Sequence, residues 1–299
     1  MKARAPAVLL LLVVAAPVGA QRPEIAITID DLPVHAPYPP GATPLDVNRE
    51  MIAALKAARV PVTGFVNAAN VRDRGTRQAL EEWHSAGFVL GNHSWSHPHL
   101  SEITIDRFED ELTRDEPILA TLGGRSNWRW FRYPFLDEGK DEAQRIEARR
   151  ILARHGYRVA SVTMSFSDWA FTPAYARCAG KRDKAGTLEL ERLYLQSQRE
   201  NLAASRDMAR KLYGRDIPYV LLMHVSAMSA HMMPQVIRLY RAAGFRFASL
   251  SEAERDPAYA GYTDLRSVPP PSQGELARKK QVEVANAPDH SAELNSICA

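Results

Sequence analysis

From residue 24 onward the chain alternates short apolar runs with amphipathic stretches of helical period. The run Glu24-Ile25-Ala26-Ile27-Thr28-Ile29 reads as a buried strand that ends at Asp30-Asp31, and the Pro/Gly-rich residues 33–44 read as a surface loop. Asp46 is the expected N-cap of a helix that places Met51, Ile52 and Leu55 on one face and stops near Val60-Pro61. Strands are expected at 62–66, 88–90, 128–131, 157–164, 219–223 and 245–248. Helices are expected at 77–85, 106–122, 141–155, 187–213 and 234–243, most of them closed by a following glycine. Residues 171–186, with turn residues and mixed charge, read as an inserted loop.

This makes about seven strand-then-helix units over residues 24–250 with no break in composition, the pattern of a parallel sheet and most simply of a distorted (β/α) barrel. Asp30, Asp31, His93, Arg132, Asp168 and His224 each fall just past the C-terminal end of an expected strand. In a β/α barrel that is the face on which active sites are built. Beyond Glu252 the apolar period fades and Pro269-Pro270-Pro271 intervenes, so the chain divides into a domain over 21–255 and a polar tail over 256–299.

Residues 1–20 read as a targeting segment: Lys2 and Arg4, an apolar run over 7–14, then small residues around Pro17-Val18-Gly19-Ala20. The run is short for crossing a bilayer, so an exported protein, periplasmic or secreted and without a membrane span in its mature form, is expected. Removing Lys2 and Arg4 takes the formal charge from +3 to +1, which gives no ground for a nucleic-acid partner. The rest of the 299-residue chain is long enough to bury a substantial core. Cys178 and Cys298 are the two cysteines, and in an oxidising compartment they are a candidate disulfide; two unpaired thiols are the alternative.

The chemistry-bearing stretch is Gly91-Asn92-His93-Ser94-Trp95-Ser96-His97-Pro98-His99. Two imidazoles four residues apart converge on one metal if the segment is helical, and the Asp30-Asp31 pair is the best source of a third ligand. Taken together, these residues resemble the polysaccharide deacetylases, the NodB-homology group also classed as carbohydrate esterase family four. The resemblance spans residues 27–226. Thr28-Ile29-Asp30-Asp31 is similar to the first family motif, His93-Ser94-Trp95-Ser96-His97-Pro98 to the second and most specific, Arg132-Tyr133-Pro134-Phe135 to the third, Asp168-Trp169 to the fourth and Leu222-Met223-His224 to the fifth.

The resemblance implies Asp31, His93 and His97 as ligands of a divalent metal, Zn2+ first, with Co2+ or another transition metal as alternatives. It implies Asp30 as general base, His224 as general acid held by Asp168, and Arg132 as the group that orients Asp30. Tyr133, Phe135, Trp169 and Leu222 become substrate-contacting residues, with the Phe135 backbone N–H facing the oxyanion. The implied reaction is removal of acetyl groups from an N- or O-acetylated polysaccharide. Leu32 and Leu136 stand where the family usually has glycine, which bears on groove shape. His35, His99 and His231 match no family position and read as loop or supporting residues.

Two rivals accompany this reading: an acetylxylan-type O-acetyl esterase, and a glycan-binding protein on the same fold without turnover. A phosphohydrolase lacks its glycine-rich cradle here, and a His-Glu-x-x-His peptidase lacks its glutamate, because Ser94 stands in that place.

Overall fold

The computed structural model describes residues 22–123, 128–266 and 269–299; the targeting segment read over 1–20 lies outside them. In chain order the elements are β1 (Glu24–Leu32), α1 (Pro44–Ala58), β2 (Val62–Val66), α2 (Arg74–Ser85), β3 (Val89–Asn92), α3 (Ile105–Gly123), β4 (Trp130–Phe131), α4 (Glu142–Arg154) and β5 (Arg158–Val159). They continue with α5 (Phe171–Lys181), α6 (Lys184–Tyr213), β6 (Tyr219–His224), α7 (Ala227–Ala242) and β7 (Arg246–Phe247). The short helices α8 (Leu250–Ala253), α9 (Ala260–Thr263), α10 (Gln273–Lys279) and α11 (Ser291–Ser296) complete the chain.

All strand pairs are parallel, in the order β5, β4, β3, β2, β1, β6, with β7 also on β1. The sheet curls: Met164, beyond β5, bridges to Leu221 of β6, so the two edges approach and the architecture is that of a distorted (β/α) barrel. β1 lies in the middle and is buried on both faces from Ile25 to Asp30, as expected of a parallel strand covered by helices. Thr28 is tolerated there because its hydroxyl donates to the Leu221 carbonyl at 2.8 Å.

Each helix lays one apolar stripe on the sheet. On α1 these are Val47, Met51, Ile52 and Leu55, and the interface with α2 is fixed by Trp83 Nε1 donating to Asn48 Oδ1 at 2.6 Å. Thr43, and not Asp46, caps α1; Asp46 is the third helical residue and completes the capping box by accepting the Thr43 N–H. The expected strand at 157–164 pairs regularly only over Arg158–Val159, because the chain then leaves β4 to reach β6. The expected loop at 171–186 is helical: α5 ends at left-handed Arg182, and Asp183 caps α6. Likewise α7 begins at Ala227 with Ser226 as its cap, and Pro234, expected at the start, lies inside it.

Residues 256–299, read as a polar tail, fold into short helices along α4, α5 and α6. Arg149 donates to the Gly261 and Asp264 carbonyls, and Arg177 to those of Leu294 and Ile297. Cys178 and Cys298 are joined in a disulfide, with Cα atoms 5.2 Å apart.

Candidate active site

The residues singled out by sequence converge on one cavity of about 390 Å³ at the C-terminal end of the sheet. Its walls include Asp30, Asp31, His93, His97, Tyr133, Phe135, Trp169, Leu222 and His224. Arg132 and Asp168 lie directly behind this lining. Six of the ten non-glycine residues with positive φ among the described residues are Asp31, Ser94, His97, Phe135, Leu136 and Ser167, all in the strand end and connecting segments around this mouth. Backbone held in that region is disfavoured for side chains bearing Cβ and is stabilised here by the surrounding contacts.

Strand geometry sends adjacent side chains to opposite faces, yet Asp30 and Asp31 both serve this cavity. The reason is local. The β1–β2 register shifts between Ile29 and Leu32, and Asp31 adopts a left-handed φ of 67°, so a bulge turns its carboxylate toward the mouth. Asp30 is only 2% exposed and receives Arg132 Nη1 at 3.2 and 3.3 Å on its two oxygens. That guanidinium is itself fixed by Ala160 O at 2.9 Å and Thr28 Oγ1 at 3.2 Å, and it lies 4.7 Å from the Phe65 ring centroid.

The His93–His99 stretch follows β3 as an irregular loop, so the helical convergence of His93 and His97 does not occur. The two rings meet instead because Ser94 and His97 take positive φ and fold the loop back, bringing their centroids within 4.7 Å. Groups behind the loop hold it. Glu111, fully buried on α3, accepts the Ser96 N–H at 2.6 Å and its hydroxyl at 2.8 Å, and Asn67 donates to the His93 and Ser94 carbonyls. Asp115 accepts the Ala68 N–H at 2.7 Å, and burial raises its pKa well above the usual carboxylate range.

Around Asp31 the donor atoms form a cluster. Its Oδ1 lies 3.5 Å from His93 Nε2 and 3.4 Å from His97 Nε2, and the three ligand atoms are all within 4.8 Å of one another. A tetrahedral ion with bonds near 2.1 Å spaces its ligands roughly 3.4 Å apart, so the cluster fits a dication such as Zn2+. Asp31 Oδ1 is moreover buried with no hydrogen-bond partner, while Oδ2 is held by His35 Nδ1 at 2.7 Å. Burial works to raise the Asp31 pKa, but the His35 hydrogen bond and the neighbouring His93 ring win and hold it well below the ordinary range. Burial and the neighbouring His93 lower the His97 pKa to about 4, keeping its ring neutral as a ligand must be. His93 Nδ1 sits 2.7 Å from the Arg132 carbonyl; donation to it leaves Nε2 as the free ligand atom.

Across the cavity His224 is the last residue of β6 and pairs in register with Asp30. Its Nδ1 lies 2.8 Å from Asp168 Oδ1, while Asp168 Oδ2 accepts the His224 N–H at 2.8 Å and the Ser229 hydroxyl at 2.7 Å. Burial alone would depress the imidazolium, but the buried Asp168 charge outweighs it and the His224 pKa rises to about 9. Asp168 lies in a 3₁₀ turn (Asp168–Ala170) well beyond β5, and not at a strand end as its sequence position implies.

Phe135 and Trp169, 57% and 54% exposed, stand at the rim, and Phe135 stacks on His99 at 3.7 Å. Of the histidines without a motif, His35 contacts Asp31 directly and His99 supports Phe135, whereas His231 pairs with Glu191 on α6 and takes no part. Glu111, Asp115 and Ser229 were not legible as site residues, because acids on an amphipathic helix and a serine near a cap read as ordinary surface groups.

A family model described as polysaccharide deacetylase matches residues 18–160. The peptidoglycan-N-acetylmuramic acid deacetylase of Bacillus subtilis is 28% identical over 135 residues, 44% of this chain and 45% of that protein. The peptidoglycan-N-acetylglucosamine deacetylase of Bacillus cereus is 28% identical over 101 residues, 34% and 32% respectively. The chain thus spans less than half the length of these curated relatives. Among solved structures, a carbohydrate esterase family four pseudoenzyme from Bacillus anthracis aligns with a TM-score of 0.55 at 17% identity, covering 78% of this chain and 66% of that one. The chitin deacetylase of Colletotrichum lindemuthianum aligns with a TM-score of 0.54 at 18% identity, covering 78% and 88%. At these identities the structural likenesses show the fold.

Proposed function

Because the chain belongs to the polysaccharide deacetylase family, we propose that it is an exported, dication-dependent hydrolase that removes acetyl groups from an N-acetylated polysaccharide. One observation carries the reading: the unpartnered Asp31 Oδ1 between His93 and His97 faces, across one cavity, an imidazole paired with a buried carboxylate. Asp31, His93 and His97 would hold the ion. A dication bound there supplies Lewis-acid polarisation of the acetyl carbonyl and acidifies water.

The chain's own groups then have separate tasks. Asp30, oriented by Arg132, accepts the proton of the attacking water as the water oxygen bonds to the acetyl carbon. His224, with Nδ1 on Asp168, delivers a proton from Nε2 to the leaving amine nitrogen as the C–N bond breaks. The Phe135 backbone N–H faces the developing oxyanion. Tyr133, Trp169 and Leu222 make the wall against which the acetylated sugar rests.

The test is acetate release from chitin oligomers, peptidoglycan fragments and acetylxylan, with and without chelator. Release from either amide substrate, lost on chelation and restored by Zn2+ or Co2+, is the expected result. Release from acetylxylan alone makes the protein an O-acetyl esterase, and release from none leaves a glycan-binding protein. Export is tested apart from catalysis, by locating the mature chain in culture fractions; retention of residues 1–20 in a cytoplasmic product would end that part. No helix among the described residues is long and apolar enough to cross a membrane.

A further inference from the structure

Beside the catalytic cavity lies a second cleft, of about 250 Å³, that residues outside the family match build. The strip 165–169 runs between the two: Ser165 and Trp169 line the catalytic cavity, whereas Phe166, Ser167 and Trp169 line the cleft. Trp169 is thus a shared, half-exposed wall. The opposite sides come from α6, with Ser197 and Asn201, and from the tail over 287–294.

This wall of the cleft is fastened in place. His290 Nε2 lies 2.6 Å from Glu200, Arg177 holds the Leu294 and Ile297 carbonyls, Leu294 is buried, and the Cys178–Cys298 disulfide ties the end of the chain to α5. The lining sets Trp169, Phe166 and Phe171 beside short polar side chains. Asn201 Nδ2 donates to the Ser197 carbonyl, and Ser291 and Asp289 stand on the tail side. A flat aromatic wall beside small amide, hydroxyl and carboxylate groups is chemistry that receives the apolar face and hydroxyls of a sugar ring. The volume lies just under the ~300–1,000 Å³ of sites for drug-sized ligands, and so suits a unit as small as one sugar ring.

We propose that this cleft is a second carbohydrate subsite: the glycan unit next to the one being deacetylated passes over Trp169 and is held between α6 and the tail. The tail is then part of the substrate groove and makes the protein select chains over single sugars. The inference deepens the proposed function and rests on it for the identity of the glycan.

The experiment measures binding, which does not require turnover. Calorimetric affinities are compared for N-acetylglucosamine and its oligomers of increasing length, for the full mature protein and for Asn201→Trp and Ser291→Trp, which fill the cleft from opposite sides. Ser291 is exposed, so its variant folds even if Asn201→Trp does not. Affinity is expected to rise with chain length in the wild type. Both variants should lose that rise, by a factor on the order of ten for one or two neutral hydrogen bonds. Acetate release, assayed in parallel, speaks to the proposed function alone. Length-dependent binding lost in the variants with no acetate released would refute the hydrolase and keep the subsite. Affinity indifferent to chain length, or a rise that survives in Ser291→Trp, would overturn the subsite even in an active deacetylase.

Discussion

Replacing Asp168 by Asn isolates the acid half of the proposed chemistry, since the side chain keeps its shape and loses its charge. In the native site Asp168 accepts three hydrogen bonds, two on Oδ2 from the His224 N–H and Ser229 and one on Oδ1 from His224 Nδ1. An asparagine has one acceptor oxygen, and the Oδ2 position with its two donors claims it. The NH2 group then faces His224 Nδ1, which must be deprotonated to receive it. Protonated His224, the form needed as acid, loses both its counter-charge and its hydrogen bond.

The sign follows. The native His224 pKa stands at about 9, against the ordinary 6.5, because Asp168 and, more weakly, Asp31 and Asp30 outweigh burial; His35 is the other titratable ring beside it. Activity should therefore fall as pH rises through the His224 pKa, and in Asp168→Asn that limb should move to the acid side, since burial is left opposed by less charge. At neutral pH kcat/KM should drop by on the order of 10²–10⁴-fold, the usual worth of a general acid. A bound dication would lower the limb in both proteins, so the two profiles are measured with the same metal and the difference is read. The same linkage acts on folding of the metal-free protein. A pKa raised from 6.5 to about 9 gives stability fully present below pH 6.5 and lost as pH rises through 9, and the variant's denaturant midpoint should not show that loss. An alkaline limb at the same pH in wild type and variant would refute the pairing of His224 with Asp168 as the source of the acid.

The adjacent aspartates should separate by metal content: Asp31→Asn loses both metal and activity, whereas Asp30→Asn keeps metal and loses on the order of 10²–10⁴-fold in rate. Atomic spectroscopy beside acetate release decides, and the reverse pattern would exchange their roles. Glu111→Ala frees the Ser96 N–H and hydroxyl behind His97 and should weaken metal binding about 10–100-fold, read by chelator competition; unaltered affinity would mean the loop holds itself. Cys298→Ser opens a link between residues 120 apart in sequence and should cost about 2–5 kcal/mol in chemical denaturation. Non-reducing peptide mapping of the wild type shows whether the bridge forms, and two alkylated thiols would exclude it.

The parallel α/β architecture was legible in the sequence because its signals are local. A strand covered on both sides must be apolar nearly throughout, a helix on a sheet must repeat its apolar face, and β1 with α1 does both. The metal-type triad was legible by residue type, since few side chains ligate a dication and His93, His97 and Asp31 are of that kind. Its geometry was not. A four-residue spacing suggests a helix, while here left-handed turns at Ser94 and His97 and a bulge at Asp31 make the convergence, held by Glu111 and Asn67 from distant elements. Helix α5 and the first two turns of α7 escaped for a related reason: turn-type residues and Pro234 weaken local propensity, and packing of α5 on α6 and α7 overrides it. The tail shows the limit most clearly. Its polar sequence carries no periodic signal, and only long-range contacts, Arg149 to Gly261, Arg177 to Leu294 and Cys178 to Cys298, bring it along α4, α5 and α6 so that residues 287–294 wall a cleft beside Trp169.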